Sequence, residues 1–350
     1  MSDQPFQIAG RSIGVNQPCY IIAEMSANHQ QDFETACQII HAIKAAGADA
    51  VKLQTYTADT LTIDCDRADF QIGAGTIWEG KNLYRLYGEA YTPWDWQPQL
   101  FQLARELGLD CFSSPFDRSS VDFLETLNPP AYKIASFELV DLPLIEYVAS
   151  KSRPVIMSTG MASLAEISDA VEVVKRAGVP LALLKCTSAY PALPASINLR
   201  TIPHLSASFG VPAGLSDHTL GIEVPVAAVA LGAAIIEKHF TLSRAQAGPD
   251  SAFSLEPAEF AAMVVAVRNA EQALGQVNYT RTEQEHASKV FRRSLYVVAD
   301  MQAGEVFTLE NVRSIRPGYG LPPKYLGQVL GRTAQQNYPR GTALSWEMLG

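Results

Sequence analysis

Several things are scarce in this sequence, and each scarcity removes a class of explanation. The five cysteines among 350 residues, Cys19, Cys37, Cys65, Cys111 and Cys186, show no CxxC spacing. They read as reduced packing residues of a cytosolic protein. No apolar run approaches the roughly 20 residues that cross a bilayer, and Met1 to Gly10 lacks the apolar stretch of a secretion signal. Acidic residues outnumber basic ones 36 to 27, and the formal charge of −9 argues against nucleic acid as a partner. The expectation is a cytoplasmic enzyme with neither a membrane nor a nucleic-acid partner. Histidine is also rare, with six in the chain, and two of the six stand in telling places.

His218 closes Gly214-Leu215-Ser216-Asp217-His218, and His239 closes Glu237-Lys238-His239. Each follows an apolar run that reads as a strand, Val211 to Leu215 and Ala233 to Ile236. Two imidazoles delivered from the ends of successive strands suit one divalent cation, with positions left open for water and substrate. A hydrogen-bonded core pair of histidines is the competing reading.

The same pattern, an apolar run with a polar terminus, occurs six more times. Cys19 to Ala23 ends in Glu24 and Asn28, and Ala48 to Leu53 carries Lys52 and ends in Gln54 and Thr55. Leu109 to Phe112 ends in Ser113 and Ser114, and Tyr132 to Ala135 holds Lys133 and ends in Ser136 and Glu138. Val155 to Met157 ends in Ser158, Thr159 and Gly160. Leu181 to Leu184 ends in Lys185, Thr187, Ser188 and Tyr190. Runs with little polar alternation suit parallel strands buried on both faces.

Helical periods fill the gaps. Phe33 to Ala46 puts Ala36, Ile39, Ile40 and Ile43 on one face and stops at Gly47, and Trp94 to Leu107 stops at Gly108. Ser163 with Glu166 makes a capping box for a helix that stops at Gly178. Ser119 and Ser196 are further cap candidates. Eight alternations of strand and helix predict a (β/α)₈ TIM barrel, whose strand carboxyl ends form the catalytic face. Lys52, Lys133, Lys185 and Lys238 lie in or directly after apolar runs, where an unpaired ammonium would be costly. Four cations at one rim, with the Ser and Thr hydroxyls, imply an anion such as a phosphate bearing a carboxylate. One of them could instead be the Schiff-base lysine of an aldolase.

Two regions stand outside the alternation. Thr57 to Pro93 is long and carries Phe70, Trp78, Tyr84 and Tyr87, which predicts a substrate-covering insertion within reach of the mouth. After a helix from Pro257 to Leu274, residues 276–290 read as a linker. From Phe291 the chain turns to short strands and tight turns, which predicts a small β-rich domain. The division expected is a barrel over 1–275, the linker, and a second domain over 291–350.

These residues resemble those of the sialic acid synthase family, in which a barrel is followed by an antifreeze-like (SAF) domain. The resemblance rests on Ile22-Ala23-Glu24 with Asn28-His29, Val51-Lys52-Leu53-Gln54-Thr55, Ser113-Ser114-Pro115-Phe116, Tyr132-Lys133-Ile134-Ala135-Ser136, Ser158-Thr159-Gly160-Met161, the two histidine segments and Gly248-Pro249-Asp250. It covers nearly the whole chain. Met25-Ser26-Ala27, Gln54-Thr55-Tyr56-Thr57, Ser136-Phe137-Glu138 and Lys185-Cys186-Thr187 are similar to the branch that makes pseudaminic acid.

The resemblance implies a synthase that condenses phosphoenolpyruvate with 2,4-diacetamido-2,4,6-trideoxy-L-altrose, cleaving C–O and releasing phosphate. Legionaminic or N-acetylneuraminic acid synthesis is the alternative within the same chemistry. A non-enzymatic sugar- or ice-binding role built on the antifreeze-like domain would not need this barrel mouth. The resemblance also implies roles for single residues. Lys52, Ser114, Lys133, Ser136, Ser158, Ser188 and Ser216 would bind phosphoenolpyruvate. Gln54, Tyr190, Asp250 and Arg316 would bind the amino sugar, and His218 and His239 would hold Mn²⁺ or Mg²⁺. Glu24 and Glu138 are the candidates for moving protons and steadying a cationic centre. Arg316 would act in a partner's site within a domain-swapped homodimer.

Overall fold

The computed structural model describes residues 5–73, 77–246 and 248–350. Parts of two sequence readings, residues 74–76 of the insertion and the first four residues, lie outside this range. Eight parallel strands close into a barrel: β3 (Tyr20–Glu24), β4 (Ala50–Thr55), β5 (Asp110–Pro115), β6 (Tyr132–Ile134), β7 (Val155–Ser158), β8 (Leu181–Cys186), β9 (Ala213–Asp217) and β10 (Ile235–His239). Closure is made by β10 pairing with β3, with His239 opposite Glu24. The fold read from the sequence is therefore present, and the histidine strands run two or three residues further than their apolar cores suggest.

Side chains alternate across a strand with period two, and the barrel turns that alternation into two separate cores. The outer positions, among them Ile21, Ala23, Val51, Leu53, Ile134, Met157, Leu183 and Ile236, are fully buried beneath the helices. The inner positions, Tyr20, Ile22, Ala50, Phe112, Ile156, Ala182, Leu184 and Ile235, fill the lumen. A two-stranded hairpin, β1 (Phe6–Ile8) with β2 (Arg11–Ile13), joins the inner cluster through Ile8 and Ile13. Apolar side chains thus fill the lumen up to the carboxyl ends of the strands, where polar ones take over.

The helices begin and end for the local reasons the sequence gives. Ser163 caps the helix Leu164–Ala177 in a capping box with Glu166, and Gly178 ends it in the left-handed conformation at φ +70. At the helix Arg118–Thr126 the expectation is corrected. Asp117 is the cap, and Ser119 donates its amide and hydroxyl to Asp117 instead of capping. Ser196 closes a short 3₁₀ turn and caps no helix. The long helix runs over Pro257–Leu274 as the periodicity predicts.

The chain divides into two compact units, Met1–Gly275 and Gln276–Gly350. The second holds a two-stranded antiparallel sheet, β11 (Ser294–Val297) with β12 (Val312–Ile315), around a core that includes Leu295, Val297, Phe307 and Leu344. A short helix, Glu283–Ser288, lies within the segment that reads as a linker. Among the described residues no helix is long and apolar enough to cross a membrane.

Candidate active site

The alternation that builds the inner core also decides which polar residues reach the lumen. Counting by twos from the inner apolar positions places Glu24, Lys52, Gln54, Ser114, Lys133, Ser158, Cys186, Ser216, Glu237 and His239 inward at the carboxyl ends of their strands. Lys185 and Lys238 fall on the other parity. This corrects the reading of four lysines at one rim. Lys238 is fully buried in an ion pair with Asp217 at 2.5 Å and also donates to the Thr219 carbonyl. Lys185 is half-buried and donates to the Cys186 carbonyl at 2.6 Å and the Thr187 hydroxyl at 3.0 Å. Two lysines, Lys52 and Lys133, remain at the inner rim.

Those two are nearly inaccessible, Lys52 at 4 % and Lys133 at 1 % exposure. Lys52 forms an ion pair with Glu24 and lies 3.9 Å from Glu237 Oε2, while Lys133 lies 3.7 Å from Glu237 Oε1. Lys133 donates to Ser158 Oγ at 2.7 Å and to the Ile134 carbonyl at 3.1 Å, and Lys52 donates to Ser114 Oγ at 3.4 Å. Ser216 donates to Glu237 Oε1 at 3.0 Å. Burial opposes charge on Glu237, yet Lys133 and Lys52 outweigh it and hold that carboxyl below the usual range. Glu237 is the residue that reading the sequence missed. The available signal was its spacing, two residues before His239 and therefore on the same inward face.

A second group of hydroxyls meets at Gly160. Its amide donates to Ser136 Oγ at 3.1 Å, and a Cβ at that position would run into both Ser136 Oγ and Ser188 Oγ. Glycine is required here because two side chains approach the backbone too closely for any other residue. Ser136 and Ser188 are thereby brought to the end of β7 beside Ser158.

His218 and His239 face one another with ring centroids 5.3 Å apart. The Nδ1 atom of His218 donates to the Thr187 carbonyl at 3.0 Å, so that in the neutral ring Nε2 is the nitrogen free to ligate. His239 Nδ1 is buried with no hydrogen-bond partner, an unmet demand that a cation would satisfy. Burial, then the charge of His218, holds His239 well below its usual range and hence neutral, the form a metal needs. Among the described residues no three His, Cys, Asp or Glu side chains cluster as ligands. The pair fits an ion whose other positions belong to solvent and substrate. Cys186 lies 3.8 Å from His218 Nδ1 and from Ser188 Oγ. Burial drives its thiol up, but the contact with His218 outweighs this and brings it to about 7.

Aromatic rings extend outward from the histidines. Tyr190 packs on His218 at 4.5 Å and on Phe253 at 5.0 Å, and Phe253 packs on His239 at 4.9 Å. From the insertion, Trp78 reaches Tyr190 at 5.4 Å and donates its indole N–H to the Pro249 carbonyl. Tyr87 packs on Tyr56 at 5.9 Å and feels the charge of Glu138. Trp78 thus lies within reach of the mouth through Tyr190. Tyr84 turns to Asp59 with its hydroxyl, and Phe70 sits in a short 3₁₀ turn. Asp250 accepts from Ser26, whose hydroxyl in turn accepts from Gln54 at 3.1 Å.

The two candidate carboxylates differ in environment. Glu24 is tied to Lys52 and accepts the Ser26 amide at 3.0 Å. Glu138 has a buried oxygen, Oε2, with no partner, and burial pushes its carboxyl up to about 7. Arg316 is exposed and lies in the second unit.

The NeuB family model matches residues 39–279 and the SAF domain model matches residues 292–350. The pseudaminic acid synthase of Campylobacter jejuni (serotype O:23/36) is 46 % identical over 334 residues, 95 % of this chain and 97 % of that one. The N,N′-diacetyllegionaminic acid synthase of Legionella pneumophila is 37 % identical over 95 % of both chains. The solved N-acetylneuraminic acid synthetase of Leptospira borgpetersenii, in complex with citrate, aligns with a TM-score of 0.73 at 31 % identity, covering 82 % of this chain and 95 % of that one.

Proposed function

The chain belongs to the NeuB family, and on that premise we propose that it condenses phosphoenolpyruvate with 2,4-diacetamido-2,4,6-trideoxy-L-altrose, the reaction of a pseudaminic acid synthase. The observation that carries this is the inward pair Lys52 and Lys133, buried among serine hydroxyls beside two facing imidazoles. Phosphoenolpyruvate brings a phosphate and a carboxylate, and the site offers two ammonium groups with Ser114, Ser158, Ser216 and the Ser136–Ser188 cradle. Gln54, Tyr190 and Asp250 take the sugar. The greater likeness to a pseudaminic than to a legionaminic acid synthase, 46 % against 37 %, favours the altro sugar.

His218 and His239 would hold a divalent cation, Mn²⁺ or Mg²⁺. When bound, it supplies Lewis acidity at the aldehyde oxygen of the open-chain sugar. The protein's own groups do the rest. Lys52 and Lys133 hold phosphoenolpyruvate with its C3 toward the aldehyde carbon, so that attack forms the C–C bond. Glu138 gives its proton to the oxygen of that aldehyde as it becomes a hydroxyl. Glu24 and Glu237 place negative charge beside the cationic C2 that results. Water adds at C2 and gives one proton to the Glu138 carboxylate, and the tetrahedral centre then collapses to the ketone with C–O cleavage, its hydroxyl proton leaving with the phosphate. The two carboxyls Glu24 and Glu138 divide roles according to environment, one ion-paired and one proton-bearing near neutrality.

Exposed apolar side chains on the rim loops, Phe137 at 58 %, Met161 at 64 % and Leu193 at 71 %, support covering by a partner. A domain-swapped homodimer would bring Arg316 of one copy to the sugar site of the other.

Phosphate release on mixing phosphoenolpyruvate with a panel of amino sugars tests the reading, and no release with any sugar would remove it. The role of Glu138 has its own signature in pH. A carboxyl raised to about 7 is protonated below that pH and ionised above it, so an acid role means that kcat falls as pH rises through about 7. Glu138→Gln is expected to lower kcat on the order of a hundredfold and to erase this limb. A limb that survives the substitution would assign it to another group.

A further inference from the structure

Nine non-glycine residues among those described have positive φ, and eight of them are exposed at the surface. The ninth is Ser26, at φ +47 and 2 % exposure, directly after the strand that carries Glu24. The left-handed region is disfavoured for any residue with a Cβ and is free to glycine, so a buried non-glycine residue held there needs a compensating reason. The hydroxyl supplies one. Ser26 donates it to Asp250 Oδ2, and its oxygen accepts from Gln54 Nε2 at 3.1 Å. The next amide, that of Ala27, also points at Asp250 Oδ2, at 3.4 Å. Ser26 therefore links one residue at the end of β4 to another in the loop after β10, the two strands that flank β3 in the barrel.

We propose that Ser26 is a positioning residue for the amino sugar: its hydroxyl orients Asp250 and Gln54 together, so that Asp250 presents Oδ1 and Gln54 its carbonyl to polar groups of the substrate. The inference deepens the functional reading above and rests on it. Both hydrogen bonds from the Ser26–Ala27 turn fall on Oδ2, which leaves Oδ1 as the oxygen to accept from a ligand. Because Ser26 Oγ accepts from the Gln54 amide nitrogen, the Gln54 carbonyl is turned away from it. The backbone amide of Ser26 has a separate task, donating to Glu24 Oε1 at 3.0 Å. Any substitution but proline keeps that amide, so the arrangement of Glu24 and Lys52 is retained when the hydroxyl is removed.

Two variants separate this role from a structural one. Ser26→Gly removes the hydroxyl and relieves the backbone, whereas Ser26→Ala removes the hydroxyl and leaves the positive φ in place. Both are expected to raise the KM for the amino sugar by about tenfold to a hundredfold, the range for losing a hydrogen bond to a charged group. Neither is expected to change the KM for phosphoenolpyruvate by more than about twofold. Ser26→Gly should melt at or above the parent temperature and Ser26→Ala at or below it. A parent protein that releases phosphate, together with a Ser26→Gly variant of unchanged sugar KM, would overturn the inference alone. A raised sugar KM that followed only a fall in melting temperature would also overturn it. A parent protein that releases no phosphate from phosphoenolpyruvate with any amino sugar would mean that the functional reading had failed, not the role of Ser26.

Discussion

His239→Ala is expected to abolish phosphate release, to below about a thousandth of the parent rate, while the barrel still folds. The imidazole stands at the inward end of β10, and its Nδ1 has no hydrogen-bond partner to strand when the ring is removed. What is lost is one of two facing donors, and one histidine cannot hold the cation at its working affinity. Metal removal by a chelator should have the same effect on the parent enzyme, reversed by Mn²⁺. Circular dichroism would show whether the fold persists. Full activity in metal-free protein would contradict the role given to the pair.

Replacing either inward lysine with methionine should raise the KM for phosphoenolpyruvate a hundredfold or more. Breaking a buried ion pair costs on the order of 3–5 kcal/mol, and a kinetic loss of that size is read directly from kcat/KM. Lys133→Met is the cleaner of the two, since among the described residues Lys133 hydrogen-bonds only Ser158 and the Ile134 carbonyl and lies 3.7 Å from Glu237. Lys52→Met also unpairs Glu24 and is expected to lower kcat as well. Steady-state kinetics with each substrate varied in turn would show the split. An increase confined to the sugar KM would mean that the lysines had been given the wrong ligand. By the same logic Lys238→Met should leave substrate KM values near those of the parent, because Lys238 is buried on the helix side with Asp217.

The contrast between Lys133 and Lys238 shows how far the chain could be read on its own. Strand and helix alternate so regularly that the barrel was legible from apolar runs and glycine stops, and so was the face on which reactive residues gather. Which strand residues point inward was legible too, but only by counting in twos from a known inner position. The apolar runs are continuous and show no polar alternation from which to start that count. Lys185 and Lys238 were therefore grouped with Lys52 and Lys133 although they have the opposite parity, and Glu237 was passed over although it has the parity of His239. The Gln54–Ser26–Asp250 link could not have been found this way. It depends on a left-handed turn at Ser26 and on a contact between residues 224 positions apart, and no local pattern reports either. The cradle at Gly160 is a similar case, since the reason for that glycine lies in Ser136 and Ser188, in the loops after the neighbouring strands β6 and β8.

Substrate choice is the most specific part of the account, and one comparison tests it. Rings line the sugar side of the mouth, with Trp78 on Tyr190 and Tyr190 on His218 and Phe253. Such a wall suits a 6-deoxy sugar with two acetamido methyl groups. An apolar pocket rejects an added hydroxyl by only about a hundredfold, so some turnover of other amino sugars is expected. The decisive measurement is kcat/KM from phosphate release, with phosphoenolpyruvate saturating and Mn²⁺ present, for 2,4-diacetamido-2,4,6-trideoxy-L-altrose beside N-acetylmannosamine. The account predicts that the trideoxy diacetamido sugar is the better substrate, by about a hundredfold; equal or better use of N-acetylmannosamine would contradict it.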